Sequence, residues 1–173
     1  MRLIVAISGG SGVHLGLKFL EYLPKSVSPY LIITDAAKEV FKNEYPIFLN
    51  SDISAPMASG SFNSDGMVII PCSMNTLAKI SVGIADNLVT RSASVILKER
   101  KRLLIAPREL PFGTIALENM LKLSKMGVII APPILGYYSE INSIEEMEKF
   151  IIGKWFDSLN IKNSIYKRWK SEE

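Results

Sequence analysis

At 173 residues, with 48% hydrophobic and 21% charged residues, the chain has the composition of one folded domain with a sizeable core, which excludes a disordered protein. Its net charge of +3 comes without a long basic cluster or a basic–aromatic module, so nucleic-acid binding is not expected. The single cysteine, Cys72, and the single histidine, His14, exclude an internal disulfide, a cysteine-based zinc site and the usual Ser-His and Cys-His nucleophile systems.

The chain opens with a five-residue apolar run, Leu3 to Ile7, which fits a buried parallel strand. The run is too short for a signal-peptide core, and no later run approaches a membrane span, so the expected compartment is the cytoplasm. It breaks on Ser8, Gly9, Gly10, Ser11 and Gly12 before a helical pattern, Val13 to Leu23, that Pro24 ends. Tyr30 to Ile33 reads as a second strand, and Thr34 and Asp35 cap a helix from Ala36 to about Glu44. From Ile47 to Asn63 the pattern weakens into a long irregular loop, the kind that often carries function. Met67 to Ile70 is a third strand, closed by Pro71, and Ser73 and Asn75 stand where the next helix begins. Asp86 and Asn87 open a further helix from Leu88 to about Lys101. Leu103 to Ala106 is strand four, Thr114 to Lys125 is helical, and Gly127 to Ile130 is strand five. Ile144 to Leu159 closes the pattern as a helix, before a polar tail with Tyr166 and Trp169.

Strands that are continuous apolar runs, alternating with helices, predict an α/β fold. It is a single doubly wound, Rossmann- or flavodoxin-like domain with a parallel sheet. Ligands in such folds sit beyond the carboxyl ends of the strands. The residues expected there are Ser8 to Gly12, Thr34, Pro71 to Thr76, Pro107 to Glu109 and Pro132 to Tyr138.

A strand that breaks on glycines just before a helix presents free backbone N–H groups and a positive dipole end, which suits a phosphate. No G-x-G-x-x-G can be written from Gly10 or Gly12, and no Gly-Lys-Ser/Thr follows. A mononucleotide phosphate therefore fits better than a dinucleotide or a nucleoside triphosphate. Ser73 and Thr76 read both as a helix cap and as a second polar wall for a ligand. Cys72 reads as a buried structural thiol, and His14 as a structural residue of the first helix. Arg91 and Lys98 are seven apart and share a helix face that suits an anion, whereas Arg100 to Arg102 read as a solvated face. Arg108 and Glu109, stiffly held between Pro107 and Pro111, read either as an ion pair or as binding-edge charges.

Taken together, SGGSG, SGSF at Ser59 to Phe62, MVIIPCSMNTLAKI at Met67 to Ile80, DNLVTR at Asp86 to Arg91, LKER at Leu97 to Arg100, PRELPF at Pro107 to Phe112 and LENMLKLS at Leu117 to Ser124 resemble the UbiX-type flavin prenyltransferases. The resemblance covers nearly the whole chain. It implies transfer of a dimethylallyl group from dimethylallyl phosphate to N5 and C6 of reduced FMN, giving prenylated FMN for a UbiD-type decarboxylase of the kind used in ubiquinone biosynthesis. Carried over by motif, Gly9, Gly10, Ser11, Thr34, Ser73, Met74, Asn75, Thr76 and Arg108 hold FMN. Arg91, Lys98, Tyr138 and Lys154 hold the prenyl phosphate, and Trp169 closes over the allyl group. Glu44 and Glu109 match the acid/base glutamates, with Ser11 beside the reacting phosphate and Lys98 also among the catalytic groups. The same resemblance implies residues 1–160 as the flavin-binding domain and 161–173 as a tail contributing to the site or a subunit interface. It further implies a homo-oligomer, a dodecamer in the family.

Allylic phosphate cleavage needs the leaving phosphate's charge neutralised, a proton supplied and the allyl cation shielded from water. The chain has no Asp-rich metal motif, so Arg91, Lys98 and Lys154 are the expected charge, and an aromatic face such as that of Trp169 stabilises a cation. Against the family pattern, Gly10 replaces Ala, Lys154 replaces Arg, Ser94 replaces Asp, and the segment between Glu44 and Ser59 is short. Two competing readings are an FMN-dependent decarboxylase of the wider group and a non-catalytic FMN carrier. His14 is wrongly placed for the first, and Glu109 and Lys98 argue against the second.

Overall fold

The continuous apolar runs become the strands of a parallel sheet whose two faces are both covered. The computed structural model describes residues 1–8, 12–33, 45–137 and 141–168. In chain order the elements are β1 (Arg2–Ile7), α1 (Val13–Glu21), β2 (Ser28–Ile33), β3 (Ile47–Leu49), β4 (Gly66–Cys72), α2 (Met74–Ser81), α3 (Leu88–Lys98), β5 (Arg102–Pro107), α4 (Thr114–Lys125), β6 (Ile129–Ile130) and α5 (Ile144–Ser158). The expected helix from Ala36 to Glu44 lies outside the described residues.

The strands pair in the order β3-β2-β1-β4-β5-β6, every pairing parallel. Because side chains alternate along a strand, each strand divides its residues between two cores. Leu3, Val5, Leu31, Ile33, Val68, Ile70, Leu104 and Ala106 point to the side covered by α1 and α5, where Phe19, Phe150, Trp155 and Phe156 are buried. Ile4, Ala6, Ile32, Met67, Ile69, Leu103 and Ile105 point to the side of α2, α3 and α4, against Leu77, Leu88, Val89 and Leu123. A strand apolar on both faces is what produced the unbroken runs in the sequence.

Two expectations need correction. The stretch from Ile47 to Asn63 is not all loop: it opens with β3, paired to β2 through Leu31↔Ile47 and Ile33↔Leu49, so the sheet has six strands rather than five. Three half-buried residues between Pro46 and Asn50 are too few to show a period. Two 3-10 turns follow, Pro56–Ala58 and Gly60–Phe62, and Met57 of the first is buried. Nor does Pro71 close the strand before it. β4 runs on to Cys72 through a register shift after Ile69, and Cys72 pairs with Pro107.

Candidate active site

The strand order reverses between β1 and β4, and the helices that follow them, α1 and α2, leave toward opposite faces of the sheet. A crevice therefore opens beyond these two strand ends, the usual ligand position of an open parallel sheet. Ser8, at the end of β1, is buried and stitches this edge together. Its N–H donates to Pro71 O at 3.2 Å, and its hydroxyl accepts from the Ser73 N–H at 3.4 Å.

Ser73 is the N-cap of α2: its Oγ accepts from the Thr76 N–H at 3.2 Å and lies 3.0 Å from Thr76 Oγ1. Capping consumes the Thr76 donor and leaves the N–H groups of Met74 and Asn75, which meet no acceptor among the described residues. The first turn of α2 thus presents two backbone donors and a positive helix end.

Arg108 brings a full charge to the same place. Its N–H donates to Cys72 O at 3.4 Å, so β5 ends beside β4, and its side chain reaches across to the start of α1. A Cβ placed on Gly12 would stand 3.1 Å from Arg108 Cδ, 3.3 Å from Nε and 3.4 Å from Pro71 Cγ. Gly12 caps α1 with φ 103°, a left-handed conformation that a side chain disfavours. Glycine is therefore favoured there by the backbone angle, and a side chain would also press on the guanidinium arm lying over it. Arg108, the α2 donors and the buried Ser8 fit an anionic group such as a flavin phosphate.

A second cationic cleft of about 260 Å³ lies along α3, lined by Ser59, Gly60, Arg91, Ser94 and Lys98. Asn87 caps α3 in a reciprocal box with Thr90, and Asn50, just after β3, accepts from the Val89 N–H at 2.9 Å. The 3-10 turn Pro56–Ala58 is held against α3 where Arg91 Nε donates to Ala58 O at 3.3 Å, and Ser59 caps the next turn, Gly60–Phe62. Arg91 and Lys98 share the face expected from their spacing. Lys98 Nζ lies 2.9 Å from Glu99 Oε1, and this contact holds the Glu99 carboxyl below its usual range.

The remaining predicted residues divide in two. Glu109 is exposed one residue beyond Arg108. Lys154 is exposed on α5, across the sheet from Arg91 and Lys98, so one chain does not unite the three. Gly9, Gly10, Ser11, Thr34, Glu44, Tyr138 and Trp169 lie outside the described residues. Cys72 is buried at the crevice, and burial pushes its thiol up to about 12, as an inert structural role requires. His14, the expected structural residue of α1, pairs with the buried Glu148 of α5 at 3.0 Å. Gly12, as the seat of Arg108, was not singled out by sequence, although it closes the SGGSG turn.

A doubly wound sheet with backbone donors and a guanidinium gathered at its switch point is the arrangement of nucleotide- and flavin-binding α/β proteins, and the family model described as Flavoprotein matches residues 1–156. Within that class the chain belongs to the family of UbiX flavin prenyltransferases. It is 47% identical to the flavin prenyltransferase UbiX of Campylobacter jejuni, covering 99% of this chain and 100% of the relative. Among solved structures, it resembles a dodecameric FMN-dependent UbiX-like decarboxylase from Escherichia coli, with TM-score 0.91 and 37% identity over 99% of this chain and 100% of that one. It also resembles AnUbiX in complex with FMN and dimethylallyl pyrophosphate, with TM-score 0.90 and 36% identity over 99% and 98%.

Proposed function

We propose that this chain transfers a dimethylallyl group from dimethylallyl phosphate to N5 and C6 of reduced FMN, making prenylated FMN for a UbiD-type decarboxylase in the cytoplasm. The observation that carries the reading is the pair of separate cationic sites, Arg108 at the sheet edge and Arg91 with Lys98 along α3. A reaction between two phosphate-bearing molecules needs two such holds. Family membership supplies the chemistry they serve.

In this reading Ser73, Met74, Asn75, Thr76 and Arg108 hold the FMN phosphate, together with Gly9, Gly10, Ser11 and Thr34. Reduced FMN supplies the nucleophilic ring atoms N5 and C6. Arg91 and Lys98, with Tyr138 and Lys154, bind the prenyl phosphate and neutralise the charge that grows on it as its C–O bond breaks. Each charge-assisted hydrogen bond of this kind contributes about 1.5–3 kcal/mol. Glu109 and Glu44 accept and donate protons, Ser11 lies beside the reacting phosphate, and Trp169 covers the allyl group as it becomes cationic. Because Lys154 faces away from Arg91 and Lys98 within one chain, the complete site needs more than one copy. This supports a homo-oligomer, and a dodecamer by likeness to the Escherichia coli relative. Residues 1–160 form the flavin-binding domain in this proposal, and 161–173 the tail that completes the site.

The reading is tested by inorganic phosphate release under anaerobic conditions. Release should require protein, dimethylallyl phosphate and reduced FMN together. Release without the flavin, or none with it, would contradict the proposal.

A further inference from the structure

Two of the sequence motifs contain residues that the proposed chemistry does not use: SGSF at Ser59 to Phe62, and the glutamate of LKER, Glu99. They meet in space. A Cβ placed on Gly60 would stand 2.5 Å from Glu99 Oε1, 3.2 Å from Glu99 Cδ and 3.4 Å from Lys98 Nζ. The carboxylate therefore lies directly on the backbone of the second 3-10 turn, and a side chain at position 60 would push it aside. The same Oε1 is 2.9 Å from Lys98 Nζ, so one oxygen both rests on the turn and grips the ammonium. Arg91 is tied to the preceding turn through Ala58 O, so the short stretch from Ala58 to Gly60 locates both cations.

The end of α3 does not account for a glutamate here. Glu99 is the C-cap, and the backbone closes the helix unaided: the Glu99 N–H donates to Val95 O at 2.9 Å, that of Arg100 to Leu97 O at 3.1 Å and that of Lys101 to Ile96 O at 2.9 Å. A carboxylate at the negative end of a helix is electrostatically disfavoured. As an exposed ion pair between chain neighbours, Lys98–Glu99 adds little to stability. What the pair does is place Lys98. A lysine ammonium on its flexible stem loses freedom when it closes on a phosphate, and one already held at the site has less to lose. The α3 cleft is lined by Arg91 and Lys98 and not by Glu99, so an anion entering it meets the two cations while the carboxylate stays outside the lining.

We infer that Glu99 is a positioning residue for the prenyl phosphate: seated on Gly60, it holds the Lys98 ammonium at the α3 cleft in advance of the substrate. The inference rests on the role proposed above for Lys98. Glu99 touches neither substrate in this scheme and acts through Lys98. A carboxylate that only stood nearby would repel a phosphate, so the two roles differ in sign. Removing the charge weakens substrate binding if Glu99 places Lys98, and strengthens it if Glu99 only repels.

The test follows steady-state phosphate release from dimethylallyl phosphate, with reduced FMN and the full chain. Glu99→Ala should raise KM for dimethylallyl phosphate about three- to tenfold, the cost of immobilising one long side chain. FMN affinity should stay within about two-fold. Glu99→Gln keeps an accepting oxygen and should recover part of the loss. Gly60 is not left-handed, so Gly60→Ala carries no penalty of that kind, and its methyl should displace Oε1 and raise KM by a similar factor. This second variant reads the same contact from the other side, even if Glu99→Ala fails to fold. In a Lys98→Met background, Glu99→Ala should change KM by less than about two-fold, because its effect passes through that ammonium. An unchanged or lowered KM in both Glu99→Ala and Gly60→Ala, or an equal rise with and without Lys98, overturns the positioning role. Parent KM in Lys98→Met alone would instead overturn the assignment of Lys98 to the prenyl phosphate, and the inference with it.

Discussion

Gly12→Ala separates the backbone demand at the first loop from its demand for space around Arg108. At φ 103° a residue with a Cβ costs about 1–2 kcal/mol, offset by about 0.4–1 kcal/mol of unfolded-chain entropy that alanine removes. The net loss is about 1 kcal/mol, and Tm of the flavin-free protein should fall by about 2–4 °C for a chain of this size. The new methyl would also stand 3.1 Å from Arg108 Cδ and 3.3 Å from Nε, tighter than ordinary contact, so the guanidinium must shift. If that arm grips the FMN phosphate, displacing it forfeits up to about 1.5–3 kcal/mol of a charge-assisted bond. The FMN dissociation constant should then rise about ten-fold, and at most about a hundredfold. Quenching of flavin fluorescence on titration measures the constant, and a thermal melt without flavin measures the first effect. The double variant Gly12→Ala/Arg108→Ala should bind FMN no worse than Arg108→Ala alone, since both changes act through one side chain. An FMN constant within two-fold of the parent, alongside the expected fall in Tm, would refute the link between Gly12 and Arg108.

Other outcomes follow from the same geometry. Lys98→Met and Arg91→Met should each raise KM for dimethylallyl phosphate by about ten-fold or more while FMN affinity holds, as steady-state kinetics and flavin titration would show. Loss of FMN binding instead would place the α3 cleft on the flavin. Glu109→Gln should keep FMN binding but slow prenyl transfer by about a hundredfold or more, the scale of general acid–base catalysis. Parent activity would remove Glu109 from proton transfer. With its thiol pushed up to about 12, Cys72 in the native protein should react with iodoacetamide at pH 8 about a thousandfold more slowly than a free thiol. The block should disappear in denaturant, and rapid native labelling would mean that the β4 end is open to solvent.

Much of the architecture was legible because the chemistry is local. Strands buried on both faces leave unbroken apolar runs, and helix starts leave caps: Ser73 and Asn87 stand at the N-caps of α2 and α3. Thr114 and Lys125 bound α4 as the pattern places them. β3 was missed because three residues between Pro46 and Asn50 carry no period, and only pairing with β2 makes them a strand. Pro71 read as a stop, whereas a register shift carries β4 past it.

The candidate site can be read from the sequence as a list of residues, not as an arrangement. Arg91 and Lys98 share a cleft because helical spacing dictates it. That Lys154 lies on the far side of the sheet depends on which face α5 covers, which no spacing reveals. The contact of Arg108 with Gly12 joins residues 96 positions apart through the adjacency of β1, β4 and β5.

The mass of the flavin after anaerobic turnover tests the central claim most directly. Reduced FMN incubated with dimethylallyl phosphate and this protein, then extracted and weighed by mass spectrometry, should be heavier by one prenyl unit. FMN that binds tightly and returns with its mass unchanged would contradict prenyl transfer and leave a flavin carrier in its place.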